Sequence, residues 1–442
     1  MKKSEECSAF LRTPFWCLGV GAVLIFFLYA WFDLGSFLAQ EQGVYVQSTE
    51  AQDVQAHVII RHGNTAPGLA HYVEHLTWLN TIGVKARSAD RHSNAWTNPY
   101  AVGYWLSGKP DELDEILQTL SGLFEPFEVP VAFANEERDI ILREYESRMV
   151  DKPDAQATEA MNAFLYAENA IASSVLGTPD DISGFTYDDA RALHAATHRP
   201  ENATLVVTGD ITEREVSRAL KEANWPEGQN VNAETQPPTF ELAAPAETLL
   251  RYPEKDASAR VIFRRVVALP EAVPFDLLEA NTTLLGNILN TNLVGGLAGP
   301  LRFDATIARR FDVQIWPVDE RHIELSFTAK PDRDVSLTAM RTAFEEILAA
   351  ISDTGIPDKT YQRVLSRFEH FWPDWADDDE TARWMADYTL DRVSTLRKPL
   401  PLHDVKRLEQ ALAHQTINTL LNEIAGEGRT AVAFIGPKER FE

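Results

Sequence analysis

Two histidines four residues apart, His71 and His75, with Glu74 between them, constrain this chain more than any other feature. On a helix that spacing turns through about 400°, so the two imidazoles fall within about 40° of one face and about one turn apart. Both can reach a single metal ion. Glu74 stands beside His75 on the same face, placed to take a proton from an attacking water. Pro67-Gly68 breaks the preceding strand, and Leu69, Ala70, Tyr72, Val73, Leu76, Trp78 and Leu79 surround the polar triplet with apolar residues. Ionisable groups in such surroundings are costly unless they are partnered, and a zinc ion supplies the partner. A tetrahedral catalytic zinc takes three protein ligands and leaves a fourth position to water. The fold must therefore bring a third ligand to this helix from elsewhere.

The candidate is Glu144, 69 positions beyond His75 (144 − 75), in the strongly helical run Glu136–Glu146 that follows Pro130. Glu137 precedes it by seven residues, about two helical turns, so both carboxylates project from one side. Glu144 is expected to bind the metal and Glu137 to orient a ligand histidine or the water. Glu136 and Glu146 read as a solvated face.

The order H-x-x-E-H inverts the commoner zinc motif and marks the inverted zinc peptidases. With these motifs in place the chain resembles the insulinase/pitrilysin zinc metallopeptidases, in the half-length form of mitochondrial processing peptidase and its bacterial relatives. Gly68–Leu76 looks like that family's metal helix, and Glu137 with Glu144 looks like its downstream glutamate pair. Asn94, Ala95, Trp96 and Thr97 are similar to its active-site edge strand, where a peptide substrate would bind. Thr186–Asp189, His194, His198 and Asn202–Asp210 resemble the helix and strand that close the first domain. The resemblance is strong to residue 225 and weaker beyond. It implies Zn2+ as cofactor, hydrolysis of peptides or small unfolded polypeptides, and two related α+β domains facing each other.

Two departures stand out. The loop Arg61–Pro67 is shorter than usual and lacks an acidic turn. The second half of such proteins carries an arginine and a tyrosine that hold the substrate, and aligning Gly299–Ile315 puts Thr306 and Val313 in their places. Arg302, Arg309 and Arg310 are close by, but no tyrosine is. Half-length family members work as dimers, so the chain is expected either as a homodimer or as the metal-bearing partner of a related subunit that supplies the clamp. The rival class is a non-catalytic scaffold or assembly subunit; such members typically lose the metal residues, which are present here.

The net charge of −25 argues against a nucleic-acid partner, which needs basic surface. Phe15–Phe32 is an uncharged apolar run of 18 residues; at ~1.5 Å per residue it spans about 27 Å, enough for a bilayer core. Lys2, Lys3 and Arg12 precede it, and no Lys or Arg follows until Arg61. The positive-inside rule then puts the N-terminus in the cytoplasm and the catalytic body on the outer, periplasmic or extracytoplasmic side of a single-pass protein. An uncleaved anchor is favoured over a cleaved signal peptide, because Phe37 is too bulky for the −3 position of a site ending at Ala39. Both cysteines, Cys7 and Cys17, belong to this N-terminal piece, so no disulfide supports the body.

The expected fold class is α+β: an N-terminal segment with a transmembrane helix (1–43), a zinc-binding domain (44–225), a polar, proline-bearing linker (226–245) and a second related domain (246–442). Val54–Ile60 and Ala95–Leu106 read as strands, Asp111–Phe124 as a helix behind an aspartate cap, the stretch near 155–172 as a further helix, and Thr186 with Asp189 as a capping box. Thr430–Pro437 echoes Thr204–Asp210, so the last strands of the two halves are expected to be equivalent.

Overall fold

The computed structural model describes residues 43–62, 65–83, 92–126, 128–167, 169–226, 240–255, 257–371 and 378–442. Among these described residues ten strands form two five-stranded mixed sheets: β1 Val44–Ser48, β2 Val54–Arg61, β3 Ser93–Thr97, β4 Ala101–Gly108 and β5 Ala203–Gly209 in the first, and β6 Ala246–Pro253, β7 Arg260–Ala268, β8 Ala308–Pro317, β9 His322–Pro331 and β10 Arg429–Gly436 in the second. The first sheet runs β1-β5-β2-β4-β3 and the second β6-β10-β7-β9-β8. The two orders are the same permutation. In each, the first and last strands pair in parallel and every other pair is antiparallel.

Equivalent glycines mark the duplication. Gly209 ends β5 at φ 132° and Gly436 ends β10 at φ 137°. A Cβ on Gly209 would lie 2.7 Å from the Asp53 carbonyl oxygen, and one on Gly436 would lie 2.7 Å from the Ala259 Cα. Both close approaches occur where the neighbouring strand begins, and both require a residue without a side chain.

Each sheet buries one face under its own helices and the other under a helix from the opposite half. On β2 and β5, Val54, Ala56, Val58, Ile60, Leu205 and Val207 point into the first core. The alternate residues Ile59 and Val206 meet Val393 and Leu396, at the end of the helix Asp378–Ser394. Reciprocally, Val432 and Phe434 of β10 face the second core, while Ala431, Ala433 and Ile435 meet Ala157, Met161 and Leu165 of the helix Pro153–Tyr166. Period-two alternation explains why these central strands are apolar on both faces. The exchanged helices are also tied by polar bonds, Gln47 Nε2 to Thr389 Oγ1 at 3.1 Å and Tyr252 Oη to the Gln156 carbonyl at 3.2 Å.

Three sequence readings need correction. Ala95–Leu106 is not one strand but the hairpin β3–β4. Asn98 Oδ1 accepts the backbone N–H groups of Tyr100 and Ala101 at 2.8 Å each, and Pro99 cannot donate to a ladder, so the chain turns there. The helix Leu113–Ser121 is entered through a 3-10 turn, where the Glu112 side chain accepts from the Lys109 N–H, and Asp111 does not cap it. The helix starting at Pro153 stops at Tyr166, short of residue 172. The capping box at Thr186 and Asp189 forms as expected.

Among the described residues no helix is long and apolar enough to cross a membrane. The run Phe15–Phe32, read as the anchor, lies outside the described residues, as does most of the linker.

Candidate metal centre

The helix Leu69–Ile82 is set by glycine at both ends. Gly68 precedes it at φ 78°, and a Cβ there would lie 2.6 Å from the Leu176 carbonyl oxygen. Gly177, at φ 74°, faces it from the opposing loop, so two glycines let the chains touch where the helix begins. Tyr72, Val73, Leu76 and Leu79 anchor the helix among Ala134, Ile141, Ile182 and Phe185, and Tyr72 Oη donates to the Ala134 carbonyl at 3.0 Å. Ala134 and Ile141 belong to the helix Val131–Met149, which carries Glu137 and Glu144. Apolar packing between these two helices therefore fixes the spacing of the polar residues they share.

His71 Nε2 and His75 Nε2 lie 3.2 Å apart, and Glu144 Oε2 lies 3.5 Å from the first and 3.8 Å from the second. With metal–ligand bonds of about 2.0–2.2 Å in a tetrahedron, neighbouring donors stand about 3.3–3.6 Å apart. The triad has the size of one zinc coordination shell. Its chemistry agrees. His75 Nδ1 meets Glu137 Oε2 at 3.0 Å, so the proton sits on Nδ1 and the Nε2 lone pair faces inward. His71 is buried, its Nδ1 has no hydrogen-bond partner, and desolvation by burial, with His75 and Arg148 adding, lowers its pKa to about 3. It is therefore neutral, the ligating form. Two imidazole nitrogens and a carboxylate converging this closely call for a cation, and among the described residues this is the group able to hold one.

Glu137 is 1% exposed and its Oε2 lies 3.0 Å from His75 Nδ1, which places it to orient that ring. Glu74 is buried next to the triad, and its Oε2 accepts a 2.8 Å bond from Thr97 Oγ1. Burial raises the Glu74 carboxyl above the ordinary carboxylate range; His75 and Thr97 oppose the rise, and Glu144 adds to it. A base tuned upward is suited to accept a proton and give it back.

A cavity of about 800 Å³ contains all nine residues singled out from the sequence: His71, Glu74, His75, Asn94, Ala95, Trp96, Thr97, Glu137 and Glu144. β3 is an edge strand, paired with β4 alone among the described strands. Trp96 lies across Gly103, where a Cβ would lie 2.2 Å from the indole. Two features were not foreseen. Thr97 reaches Glu74 rather than serving only as strand edge, and Arg148 pairs with Glu144 Oε1 one turn along the helix. The i,i+4 spacing of Glu144 and Arg148 is the signal that would have found the second. Three further histidines have structural bonds: His198 Nε2 meets Tyr104 Oη at 2.9 Å, His194 Nε2 bonds the Leu123 carbonyl at 3.1 Å, and His62 Nε2 bonds the Asn98 carbonyl at 2.8 Å.

The clamp positions of the second half stay empty of clamp chemistry. Val313 is 3% exposed and packs in the second core, its backbone held by Asn290, while Thr306 is exposed at φ 48°.

A duplicated α+β fold with an inverted zinc motif in its first half defines a class of metallopeptidase-like proteins. The family model described as the peptidase M16 inactive domain matches residues 184–368. The chain is 23% identical to the zinc protease PqqE of Helicobacter pylori over 46% of this chain and 51% of that protein. It is 22% identical to the beta subunit of the mitochondrial-processing peptidase of Blastocladiella emersonii over 36% of this chain and 35% of the other. These matches span about half or less of the relatives' lengths. The crystal structure of the first half of the periplasmic protease PqqL from Escherichia coli has the same fold, with a TM-score of 0.72, 17% identity and 90% of each chain covered. These matches support the resemblance of the chain to the insulinase/pitrilysin family in its half-length form.

Proposed function

We propose that this protein is a zinc-dependent endopeptidase acting on peptides or small unfolded polypeptides, with its body held outside a membrane by the Phe15–Phe32 segment. The observation that carries the reading is the convergence of His71, His75 and Glu144 within 4.8 Å of one another beside a buried Glu74. The matched "inactive domain" interval begins at residue 184, so it leaves all four of these residues outside it.

Zinc bound there would polarise the scissile carbonyl and lower the pKa of a water. Glu74 takes the proton of the attacking water and delivers it to the departing amine. Thr97 holds the Glu74 carboxylate in line by its hydrogen bond. Glu137 keeps His75 in the tautomer that presents Nε2. The outer edge of β3 pairs with the substrate backbone as an added strand, which fixes register with little demand on side-chain identity.

The missing clamp supports a second element of the proposal. With Val313 turned into the core, substrate retention is supplied by a partner, either a second copy or a related subunit for which this chain is the metal-bearing half. The test is metal content together with cleavage of a mixed peptide library, wild type against Glu74→Gln. The expected outcome is zinc in both proteins and cleavage only by the wild type, in the presence of the partner. A zinc-free, inactive wild type would instead support a scaffold or assembly role.

A further inference from the structure

A second cavity, of about 820 Å³, is lined by Arg302, Arg309, Arg310, Lys330, Arg333 and Arg440, with Asp332 as its one carboxylate. Six cations against one acid is a steep local excess in a chain of net charge −25. Asp304, Asp312, Asp334 and Glu439 neighbour these residues in sequence but do not line the cavity. Arg440 is fixed in its wall, Nη2 donating to the carbonyls of Asp332 and Val335 at 2.7 Å each, and its buried Nε has no hydrogen-bond partner. The other five cations enter no ion pair among the described residues.

The backbone departs from regularity to build this wall. The β8–β9 register shifts between Ala308 and Arg310, which leaves Arg309 as an extra residue. In a regular strand Arg309 and Arg310 would point to opposite faces. Here both line the same cavity, the re-aiming that a bulge produces. Arg302 comes from a π-helical turn, Gly299–Asp304, a rare geometry that concentrates at functional sites.

A depression of about 600 Å³ along Ser147–Ala155 shares Arg148 with the metal cavity and Ala257 and Ser258 with the basic one. The three concavities adjoin at these shared residues, the middle one lined also by Asp151, Asp154 and Glu254 beside Arg148, Lys152 and Arg260. Building on the peptidase reading, we propose that the basic cavity is a substrate subsite that holds an acidic segment of the peptide whose scissile bond lies at the His71–His75–Glu144 centre. It adds a contact to substrate within this chain, in the half where the aligned clamp positions carry none, to the retention that the partner supplies.

The test measures binding, not turnover. In the zinc-loaded full chain carrying Glu74→Gln, the dissociation constant of a fluorescent peptide with a run of glutamates is compared with that of the same peptide with glutamines. The glutamate peptide is expected to bind more tightly, with a preference that weakens as salt is raised. Adding the exposed-residue changes Arg309→Ser and Arg310→Ser should lower that preference about tenfold, as expected for two exposed charge contacts. A preference unchanged by the double substitution overturns the proposal. So does a glutamate preference near one in the parent protein, and inorganic pyrophosphate binding at the arginines in that case would assign the cavity to phosphate anions. Failure of the peptidase reading is seen separately, as a wild type without zinc or cleavage.

Discussion

Removing Glu137 should loosen zinc without touching a ligand. Its carboxylate is 1% exposed and 3.0 Å from His75 Nδ1, so it holds the ring and raises its basicity. Loss of such a partner typically weakens metal binding about 10- to 100-fold. Glu137→Gln keeps an acceptor near Nδ1 and loses the charge, which places it near tenfold; Glu137→Ala loses both and belongs near a hundredfold. Zinc that binds only the folded state stabilises it by RT ln(1 + [L]/Kd). With free zinc buffered at about a thousand times the wild-type Kd, the wild type gains about 4.1 kcal/mol, Glu137→Gln about 2.7 and Glu137→Ala about 1.4. At about 2–4 °C per kcal/mol for domains of this size, the zinc-dependent rise in Tm should shrink by several degrees across the series. The assay is thermal unfolding in zinc buffers with and without chelator, which cancels any effect of the substitutions on the metal-free protein. Equal zinc-dependent rises for wild type and Glu137→Ala would refute the orienting role. Glu144→Ala, which removes a ligand outright, should show less zinc stabilisation than either.

The other perturbations act at single contacts. Thr97→Val removes the donor to Glu74 and should lower kcat for a quenched fluorescent peptide about tenfold with zinc content intact, since hydrogen bonds to charged groups contribute about 1.5–3 kcal/mol; an unchanged kcat would show that Glu74 is positioned by other means. Gly68→Ala places a methyl 2.6 Å from the Leu176 carbonyl at a positive φ, and it should cost at least about 1–3 kcal/mol in denaturant unfolding. A neutral result there would mean that the Leu176–Gly177 loop moves aside freely.

The metal helix was legible because its chemistry is local. His71, Glu74 and His75 are brought together by helical geometry alone, and the apolar residues between them announce which side is buried. Glu137 and Glu144 were legible as a pair for the same reason, from their seven-residue spacing on one helix. Their docking against the histidines was legible only through the family resemblance, because nothing local specifies which way the helix Val131–Met149 faces. The hairpin at Asn98-Pro99 was misread because β-branched and aromatic residues run on through it. The turn is made by the Asn98 side chain bonding to backbone two and three residues on, a signal weaker than the surrounding propensity.

The amino-acid sequence by itself determined the helix that carries His71, Glu74 and His75, the donor types it offers, the repeated order of elements and the acidic balance of the chain. Each of these follows from residue type and short-range spacing. Tertiary structure alone decided that each sheet is closed by a helix from the other half, that Thr97 holds Glu74, and that Val313 turns into a core. It also decided that arginines from a π-helical turn, a bulged strand, a loop and the C-terminal end share one cavity. Those outcomes depend on contacts between residues tens to hundreds of positions apart, where packing of apolar faces selects the partner and no local pattern records the choice.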